Sequence, residues 1–322
     1  MTDAALGTIR RFLDPELAAM QVLMPDIDIA DVAAARRIER SLSPRMGTPP
    51  GSSDVQATDL ACERKDGSLL GVRHYRPASL GRQPLPSLLF IHGGSFVTGG
   101  LHTEDARCAE YASTVGCSVV AVDYRLAPEH PYPAGLDDCV VAARWMADQS
   151  GVLGIDPTRL GIGGLSAGGA LAAGTALRLR DDNAASLAIQ LLLFPVLDAR
   201  ADSASCQAFT DVPVLTTASV ETMWRLYLGT SWFRGCPDPP TYSSPAHVDD
   251  LTGLPPTYIC AAQFDPLRDE ALAYGLRLLA QGVSVDMRHY ARAFHSFDSF
   301  TATRLARAAM RDQTDALRAA FA

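Results

Sequence analysis

The sequence of 322 residues has few of the features that mark membrane, secreted or metal-binding proteins. No apolar run approaches the length of a membrane span, and the segment from Met1 to Ala5 carries an early acid and no apolar core of the kind that a secretory signal needs. The seven cysteines are odd in number and have no C-x-x-C spacing, so neither a disulfide framework nor a zinc site is indicated. These absences predict a cytoplasmic protein without a metal or another cofactor.

Positive charge is also scarce. The chain has 28 Lys and Arg against 36 Asp and Glu, and no basic cluster contains interleaved aromatic residues. A net charge of −8 offers no surface to a polyanion, which excludes nucleic acid as an expected partner. No H-E-x-x-H, EF-hand or phosphate-loop pattern occurs. Residues 161–166 approach a dinucleotide fingerprint, but the last position is a serine and the segment lies in the middle of the chain.

The most informative motif is the G-x-S-x-G sequence at residues 164–168. An apolar stretch precedes it and an Ala-rich helical pattern follows it, so the motif lies at a strand-to-helix junction that lifts a serine hydroxyl out of the fold. Gly164 and Gly168 are expected to be required, because a β-carbon at either position would clash with nearby backbone in so tight a turn. Ser166 is therefore the candidate nucleophile.

A second glycine-rich turn lies about seventy residues upstream of the serine. A short apolar strand at 86–91 runs directly into His92-Gly93-Gly94-Ser95. Without Ser166 this segment would be read as an ordinary glycine turn that closes a strand. With Ser166 present it predicts an oxyanion hole, in which small residues let backbone N–H groups point at a substrate oxygen and Gly93 supports the turn. The expected donors are the amides of Gly94, Ser95 and Ala167.

A serine nucleophile needs a base, and α/β-hydrolases order their triad as serine, acid, histidine. That order eliminates the four histidines that precede Ser166, namely His74, His92, His102 and His130. His247 lies in a Pro- and Ser-rich connection, and His289 has the strand parity of its apolar neighbours, which favours a place on a face of the sheet. His295 follows the strand on a loop. We predict His295 as the base and keep His289 as the alternative.

The acid is expected after a strand that lies between Ser166 and His295 in the sequence. Asp265 follows the apolar strand at 256–262, whereas Asp269 and Glu270 fall at the start of the next helix, where acids are favoured by the helix dipole. We predict Asp265. The alternative is Asp198, which follows the preceding strand and could instead be a loop aspartate that binds nearby backbone.

Together these motifs resemble the hormone-sensitive-lipase-like branch of the α/β-hydrolases, also called bacterial esterase family IV. The resemblance rests on H-G-G at 92–94, DYRLAPEHPYPA at 123–134, G-L-S-A-G-G at 164–169, D-P-L-R-D-E at 265–270 and His295 before Phe297. Three positions depart from the family pattern. Ser95 replaces a third glycine, Leu165 replaces an acidic or small polar residue, and Ser296 replaces a glycine after the histidine. None removes a triad member, so they bear on substrate preference and rate.

The architecture expected from the sequence is a single α/β-hydrolase domain over residues 1–322. A helical stretch at 7–41 ends in a Pro- and Gly-rich segment, and a hairpin then precedes strands that alternate with helices. Such alternation predicts an eight-stranded, mostly parallel sheet with helices on both faces. The expected strands are 56–64, 69–75, 88–91, 118–124, 160–163, 189–197, 257–262 and 283–290.

The resemblance implies a helical cap over the active site, formed by about residues 1–45 and 198–241. The second segment carries five aromatic residues that could wall a substrate pocket or anchor the cap to the core. They are Phe209, Trp224, Tyr227, Trp232 and Phe233.

The resemblance implies a serine carboxylesterase that hydrolyses small esters with short to medium acyl chains. No cofactor is expected, and a homodimer is a possible oligomeric state. Two alternatives stay open at this point. One keeps the triad and changes the bond, as in an amidase, a lactonase or a natural-product deacetylase. The other is a non-catalytic receptor for a small ligand on the same scaffold.

A histidine base makes the reaction sensitive to acid. We expect activity to fall as pH drops through the range in which an imidazole takes up a proton, because a protonated ring cannot accept the serine proton. Initial rates measured across pH on a saturating ester test this. A profile that stays flat down to about pH 4 would contradict a histidine base.

Overall fold

A single sheet of eight strands lies at the centre of the computed structural model, which describes residues 9–22, 24–42 and 54–322. The strands are β1 (Val55–Glu63), β2 (Leu69–Pro77), β3 (Leu85–Ile91), β4 (Ser118–Val122), β5 (Ile155–Leu165), β6 (Ile189–Leu193), β7 (Thr257–Phe264) and β8 (Val285–Phe294). Their order across the sheet is β1-β2-β4-β3-β5-β6-β7-β8. Only β2 runs antiparallel to its neighbours, and the sheet from β4 to β8 is parallel throughout. The predicted fold class is confirmed.

Helices cover both faces of this sheet. They are α1 (Pro15–Gln21), α2 (Val32–Leu42), α3 (Asp105–Tyr111), α4 (Ala134–Asp148), α5 (Ser150–Leu153), α6 (Ala167–Asp181), α7 (Ala204–Ala208), α8 (Thr217–Leu228), α9 (Arg268–Ala280) and α10 (Arg304–Phe321). Alternate residues of β4 enter two separate apolar cores: Val120 and Val122 pack with α4, α6, α8 and α9, whereas Val119 and Ala121 pack with α1, α3 and α10. All five β4 residues are therefore buried, as expected for a central parallel strand.

Several element ends differ from the sequence prediction. β6 ends at Leu193 and not at residue 197, because Phe194 has a left-handed backbone (φ 48°) and Pro195 has no N–H to continue the ladder. β8 begins at Val285 and extends to Phe294. The helical stretch predicted at 7–41 is interrupted, since residues 24–30 between α1 and α2 are not helical. The proline-rich segment after it, and residues 1–8, lie outside the described residues.

All seven cysteines are free, and six of them are buried. Across residues 9–22, 24–42 and 54–322, every helix is too short or too polar to span a bilayer. The same ranges contain no group of three or more His, Cys, Asp or Glu side chains arranged to hold a metal ion.

A buried carboxylate joins the first hairpin to the central layers. Asp138 of α4 is 1 % exposed and accepts hydrogen bonds from the guanidinium groups of Arg64, after β1, and Arg125, after β4. It also accepts the backbone N–H of Arg125 at 2.9 Å. Burial opposes ionisation of Asp138, but these hydrogen bonds outweigh it and lower its pKa. The arginine of the D-Y-R-L-A-P-E motif thus has a structural partner.

Replacing Asp138 by Asn should destabilise the fold, because it leaves two arginines facing a neutral group in a largely buried site. We expect Asp138→Asn to cost about 2–3 kcal/mol of unfolding free energy, somewhat less than a fully buried pair since Arg125 is partly solvated. Urea denaturation measures the change, with Asp249→Asn at an exposed position as the control. Equal unfolding free energies for the two variants would contradict a stabilising role for the cluster.

Candidate active site

The serine predicted as nucleophile sits between β5 and α6 in a strained turn. Ser166 has φ 57° and ψ −116°, and its N–H donates to the carbonyl of Leu193 at 2.7 Å. A β-carbon at Gly164 would lie 2.2 Å from the carbonyl oxygen of Gly168, and one at Gly168 would lie 2.1 Å from that of Ile91. Distances this short leave no room for any side chain. The two glycines are therefore required by backbone contact, as the sequence predicts.

The structure brings Ser166, His295 and Asp265 together although they are far apart in the sequence. His295 Nε2 lies 2.9 Å from Ser166 Oγ, and its Nδ1 lies 2.8 Å from Asp265 Oδ2. Both contacts are satisfied when Nδ1 carries the proton and donates to the carboxylate, which leaves Nε2 free to accept from the hydroxyl. The three residues are 5 %, 4 % and 1 % exposed, so the contacts are largely shielded from water.

Asp265 and His295 are each held by their own surroundings. Asp265 follows β7, and its second oxygen accepts the N–H of Leu267 at 2.9 Å, which fixes the carboxylate plane. The imidazole of His295 contacts the ring of Phe194 edge-on, with centroids 5.7 Å apart. Phe194 in turn packs against Phe297 in the loop that carries the histidine.

A buried cluster of charged and polar side chains binds the loop that carries His295. Asp298, three residues after His295, accepts hydrogen bonds from Arg107 of α3 and Gln313 of α10, each at 2.9 Å. Arg107 also binds Glu104 at 2.8 Å, and all of these side chains are buried. The loop is thereby fastened to two helices of the same core.

The predicted oxyanion turn has an unusual backbone. Gly94, Ser95 and Phe96 have φ of 110°, 56° and 63°, three consecutive residues in a region that favours glycine. The Gly94 carbonyl accepts the N–H groups of Val97 and Thr98, each at 2.9 Å, which closes the turn. Within the part of the chain that the structure describes, the amides of Gly94, Ser95 and Ala167 donate no hydrogen bond. They are thus available to a ligand oxygen, and Ala167 adds the positive end of α6.

His92 has a structural place beside this turn. Its Nδ1 lies 2.7 Å from the carbonyl of Gly93, and its ring stacks on Tyr124 with centroids 4.3 Å apart. Burial lowers the pKa of His92 to about 4. The ring is therefore neutral at physiological pH and donates from Nδ1.

The residues that the sequence left as alternatives lie elsewhere. His289 is exposed on β8, so the expectation that it packs on a face of the sheet is wrong. Asp198 accepts hydrogen bonds from Arg200 and from His247 Nε2, the latter at 2.9 Å, and does not contact His295 among the described hydrogen bonds. This second carboxylate–imidazole pair is a feature that sequence reasoning missed.

The three departures from the family pattern have distinct structural settings. Ser95 and Ser296 both have φ 56°, a conformation that a glycine adopts without strain. Leu165 is buried, and a β-carbon built at Gly93 would lie 3.5 Å from its side chain. The residue before the nucleophile thus packs beneath the predicted oxyanion turn.

The aromatic residues of segment 198–241 divide into anchors and surface groups. Tyr227 stacks on Phe96 with ring centroids 3.8 Å apart and an interplanar angle of 5°, and Trp224 is fully buried beside the same ring. Trp232 donates to the carbonyl of Ala199 at 2.8 Å, whereas Phe233 is exposed. Trp224 and Tyr227 therefore anchor α8 to the core, the second of the two readings that the sequence allowed.

The chain is similar to known proteins in sequence and in structure. Residues 88–299 match the family model described as the alpha/beta hydrolase fold. The chain is 36 % identical over 288 residues to the esterase LipI of Mycobacterium tuberculosis, covering 88 % of each chain. It is 38 % identical over 229 residues to the carboxylesterase NlhH of the same species, covering 71 % of each. The solved structure of a bacterial heroin esterase superposes with a TM-score of 0.93 at 37 % identity, covering 97 % of this chain and 99 % of that one.

The fold and the matched region define the class: the chain belongs to the α/β-hydrolase family. Within that family it is a member of the hormone-sensitive-lipase-like esterases, as the sequence motifs predicted.

The low pKa of His92 predicts a loss of stability in acid. Below about pH 6.5 the unfolded chain takes up a proton at this histidine, but the folded protein does not until about pH 4. The unfolded state is therefore favoured progressively across that interval, by on the order of 2–3 kcal/mol at its lower end. His74, whose pKa burial also lowers to about 4, acts in the same direction.

Urea denaturation at several pH values measures this effect. We expect His92→Gln to make the unfolding free energy less dependent on pH between pH 6.5 and 4. The same substitution at the exposed His130 should leave this pH dependence as it is in the wild type. A slope that His92→Gln does not change would show that the acid sensitivity arises elsewhere.

Proposed function

We propose that the protein is a serine carboxylesterase that hydrolyses short- to medium-chain acyl esters through an acyl-enzyme intermediate, with Ser166 as nucleophile, His295 as base and Asp265 as the orienting acid. The observation that carries the proposal is the continuous chain of contacts from Ser166 Oγ through the His295 ring to Asp265, at 2.9 Å and 2.8 Å. The reaction class is that of the relatives, which bear the names esterase and carboxylesterase.

The first step is attack of Ser166 Oγ on the ester carbonyl. His295 Nε2 accepts the hydroxyl proton as the oxygen–carbon bond forms, and the ring becomes an imidazolium. Asp265 holds Nδ1–H and stabilises that positive charge, without taking the proton itself. Because the carboxylate is 1 % exposed and fixed by the N–H of Leu267, little reorganisation is needed when the charge appears.

The negative charge that develops on the carbonyl oxygen needs donors already in place. The amides of Gly94, Ser95 and Ala167 serve as these donors, and Gly93 supports their turn. Collapse of the tetrahedral intermediate expels the alcohol, which takes the proton from His295. Water then attacks the acyl-enzyme carbonyl while His295 Nε2 takes its proton. His295 returns the proton to Ser166 Oγ as the bond from that oxygen to the acyl carbon breaks, and the acid leaves.

Substrate size follows from the enclosure of the site. Ser166 is only 5 % exposed, and α2 and α8 both contact the turn after β3, through Arg36 and Tyr227. These contacts support the expected cap of about residues 1–45 and 198–241. Because Ser166 is so enclosed, we expect the protein to hydrolyse dissolved esters with short acyl chains faster than emulsified lipids.

The test is hydrolysis of p-nitrophenyl esters from acetate to palmitate by the wild type and Ser166→Ala. We expect a maximum at short chains and a loss on the order of 10⁵- to 10⁶-fold in kcat for the variant, because the residual rate comes only from binding and the oxyanion hole. Ser150→Ala, remote on α5, is the matched control and should retain wild-type rates.

Two results would overturn the proposal. Folded wild-type protein that cleaves no chain length would favour a receptor for a small ligand, or an amidase or lactonase that rejects simple esters. Faster turnover of triolein than of short esters would contradict the predicted chain-length preference.

A further inference from the structure

The predicted oxyanion turn is strained and needs support from outside itself. Ser95 and Phe96 both have φ near 60°, a conformation that is unfavourable for a residue with a β-carbon. A non-glycine backbone persists in such a conformation only where its surroundings leave it no alternative. The contacts that hold the residues just after Ser95 therefore bear on the position of its amide.

Part of this support comes from the core and from α8. The ring of Phe96 contacts those of Trp224 and Tyr227, and its centroid lies 3.8 Å from that of Tyr227, on which it stacks. The Phe96 carbonyl accepts the N–H of Ala127 at 2.9 Å. These contacts fix the side chain and one backbone group of Phe96. In the next peptide, the Thr98 N–H donates to the Gly94 carbonyl at 2.9 Å, which leaves the Val97 carbonyl to be held separately.

The Val97 carbonyl is held by Arg36, which comes from α2. Its Nε donates to the carbonyl of Val97 at 2.7 Å, and its Nη2 donates to the carbonyl of Ala127 at 3.0 Å. The same guanidinium binds both oxygens of Glu129, at 2.7 and 2.8 Å. One planar group thus ties the turn to the D-Y-R-L-A-P-E segment, which is 91 residues away from Arg36 at Ala127. Only an arginine presents donors in this fixed fork.

We infer that Arg36 is a positioning residue for the oxyanion hole: by holding the Val97 and Ala127 carbonyls together, it keeps the amides of Gly94 and Ser95 aimed at the developing oxyanion. The inference rests on the proposed function. Arg36 acts through the turn, because the described hydrogen bonds do not connect it to Ser166, His295 or Asp265.

The ion pair with Glu129 is not the main source of this effect. Glu129 is 55 % exposed and Arg36 23 %, so solvent screens their attraction. The two hydrogen bonds to carbonyls are partly buried and connect segments whose relative position defines the turn. Removing the carboxylate should therefore matter much less than removing the guanidinium.

The experiment compares four variants with the wild type on p-nitrophenyl butyrate. Arg36→Met removes every donor, and Arg36→Lys retains one ammonium without the fork. Glu129→Gln removes the charge of the ion-pair partner and leaves both carbonyl bonds. Arg37→Met is the matched control, since it makes the same change at the adjacent, exposed position of α2. Titration with an irreversible phosphonate counts the active sites, so kcat refers to folded enzyme only.

We expect Arg36→Met to lower kcat about 10- to 100-fold with KM changed less than about threefold, because loss of a whole oxyanion donor costs 100- to 1,000-fold and a displaced one costs less. Arg36→Lys should fall between this variant and the wild type. Glu129→Gln and Arg37→Met should stay within about threefold of the wild type. A boronic acid, which mimics the tetrahedral oxyanion, should lose affinity for Arg36→Met in proportion to kcat.

The inference is overturned if kcat per titrated site in Arg36→Met equals that in Arg37→Met, or if KM alone changes. A purely structural role would lower the melting temperature and the number of active sites without changing kcat per site. Should Arg36→Met not fold, Arg36→Lys decides the matter by the same comparison. Failure of the proposed function is a separate result, because the wild type itself would then be inactive on every ester.

Discussion

The approach of the β5–α6 turn to the end of β3 is the constraint on which the rest of the site depends. The carbonyl of Ile91 lies so close to Gly168 that a β-carbon there would be 2.1 Å away. Ile91 is paired with Gly164 in the sheet, and His92 begins the predicted oxyanion turn one residue later. The same backbone contact therefore sets the position of Ser166 and of the predicted oxyanion turn. A shift of either strand would move Ser166 and this turn apart.

Buried charge keeps the opposite side of the site in place. The loop with His295 has its own strain at Ser296, and it follows an edge strand that has a neighbour on only one side. Asp298 compensates for this, because Arg107 and Gln313 bind it in a region closed to water. Glu270 near β6 differs, since one of its oxygens accepts two backbone N–H groups and the other has no partner among the described residues. Burial raises the pKa of Glu270 well above its usual range.

The sequence was most informative where the backbone allows only one residue type. Gly164 and Gly168 could be predicted because a tight turn excludes a β-carbon, and the alternation of apolar strands with helices was sufficient for the sheet. The roles of Ser166, Asp265 and His295 stay predictions, although the structure brings the three within hydrogen-bonding distance. The end of β6 was misjudged because Pro195 to Leu197 continue the apolar pattern after the chain has left the ladder at Phe194. An apolar pattern indicates that residues are buried, and these residues are buried although they do not belong to a strand.

The contacts of Arg36 could not be predicted from a sequence pattern. Its acceptors are backbone carbonyls 61 and 91 residues away, and a carbonyl has no sequence signature. An arginine on an amphipathic helix is most simply read as a solvated side chain, and here the adjacent Arg37 is one. The difference lies in the side of α2 that faces the turn, and Ala35 on this helix is packed in the core. If Arg36 holds the turn as we infer, α2 acts on the chemistry without contacting substrate, because the backbone conformation of Ser95 and Phe96 persists only where the surrounding contacts prevent it from relaxing.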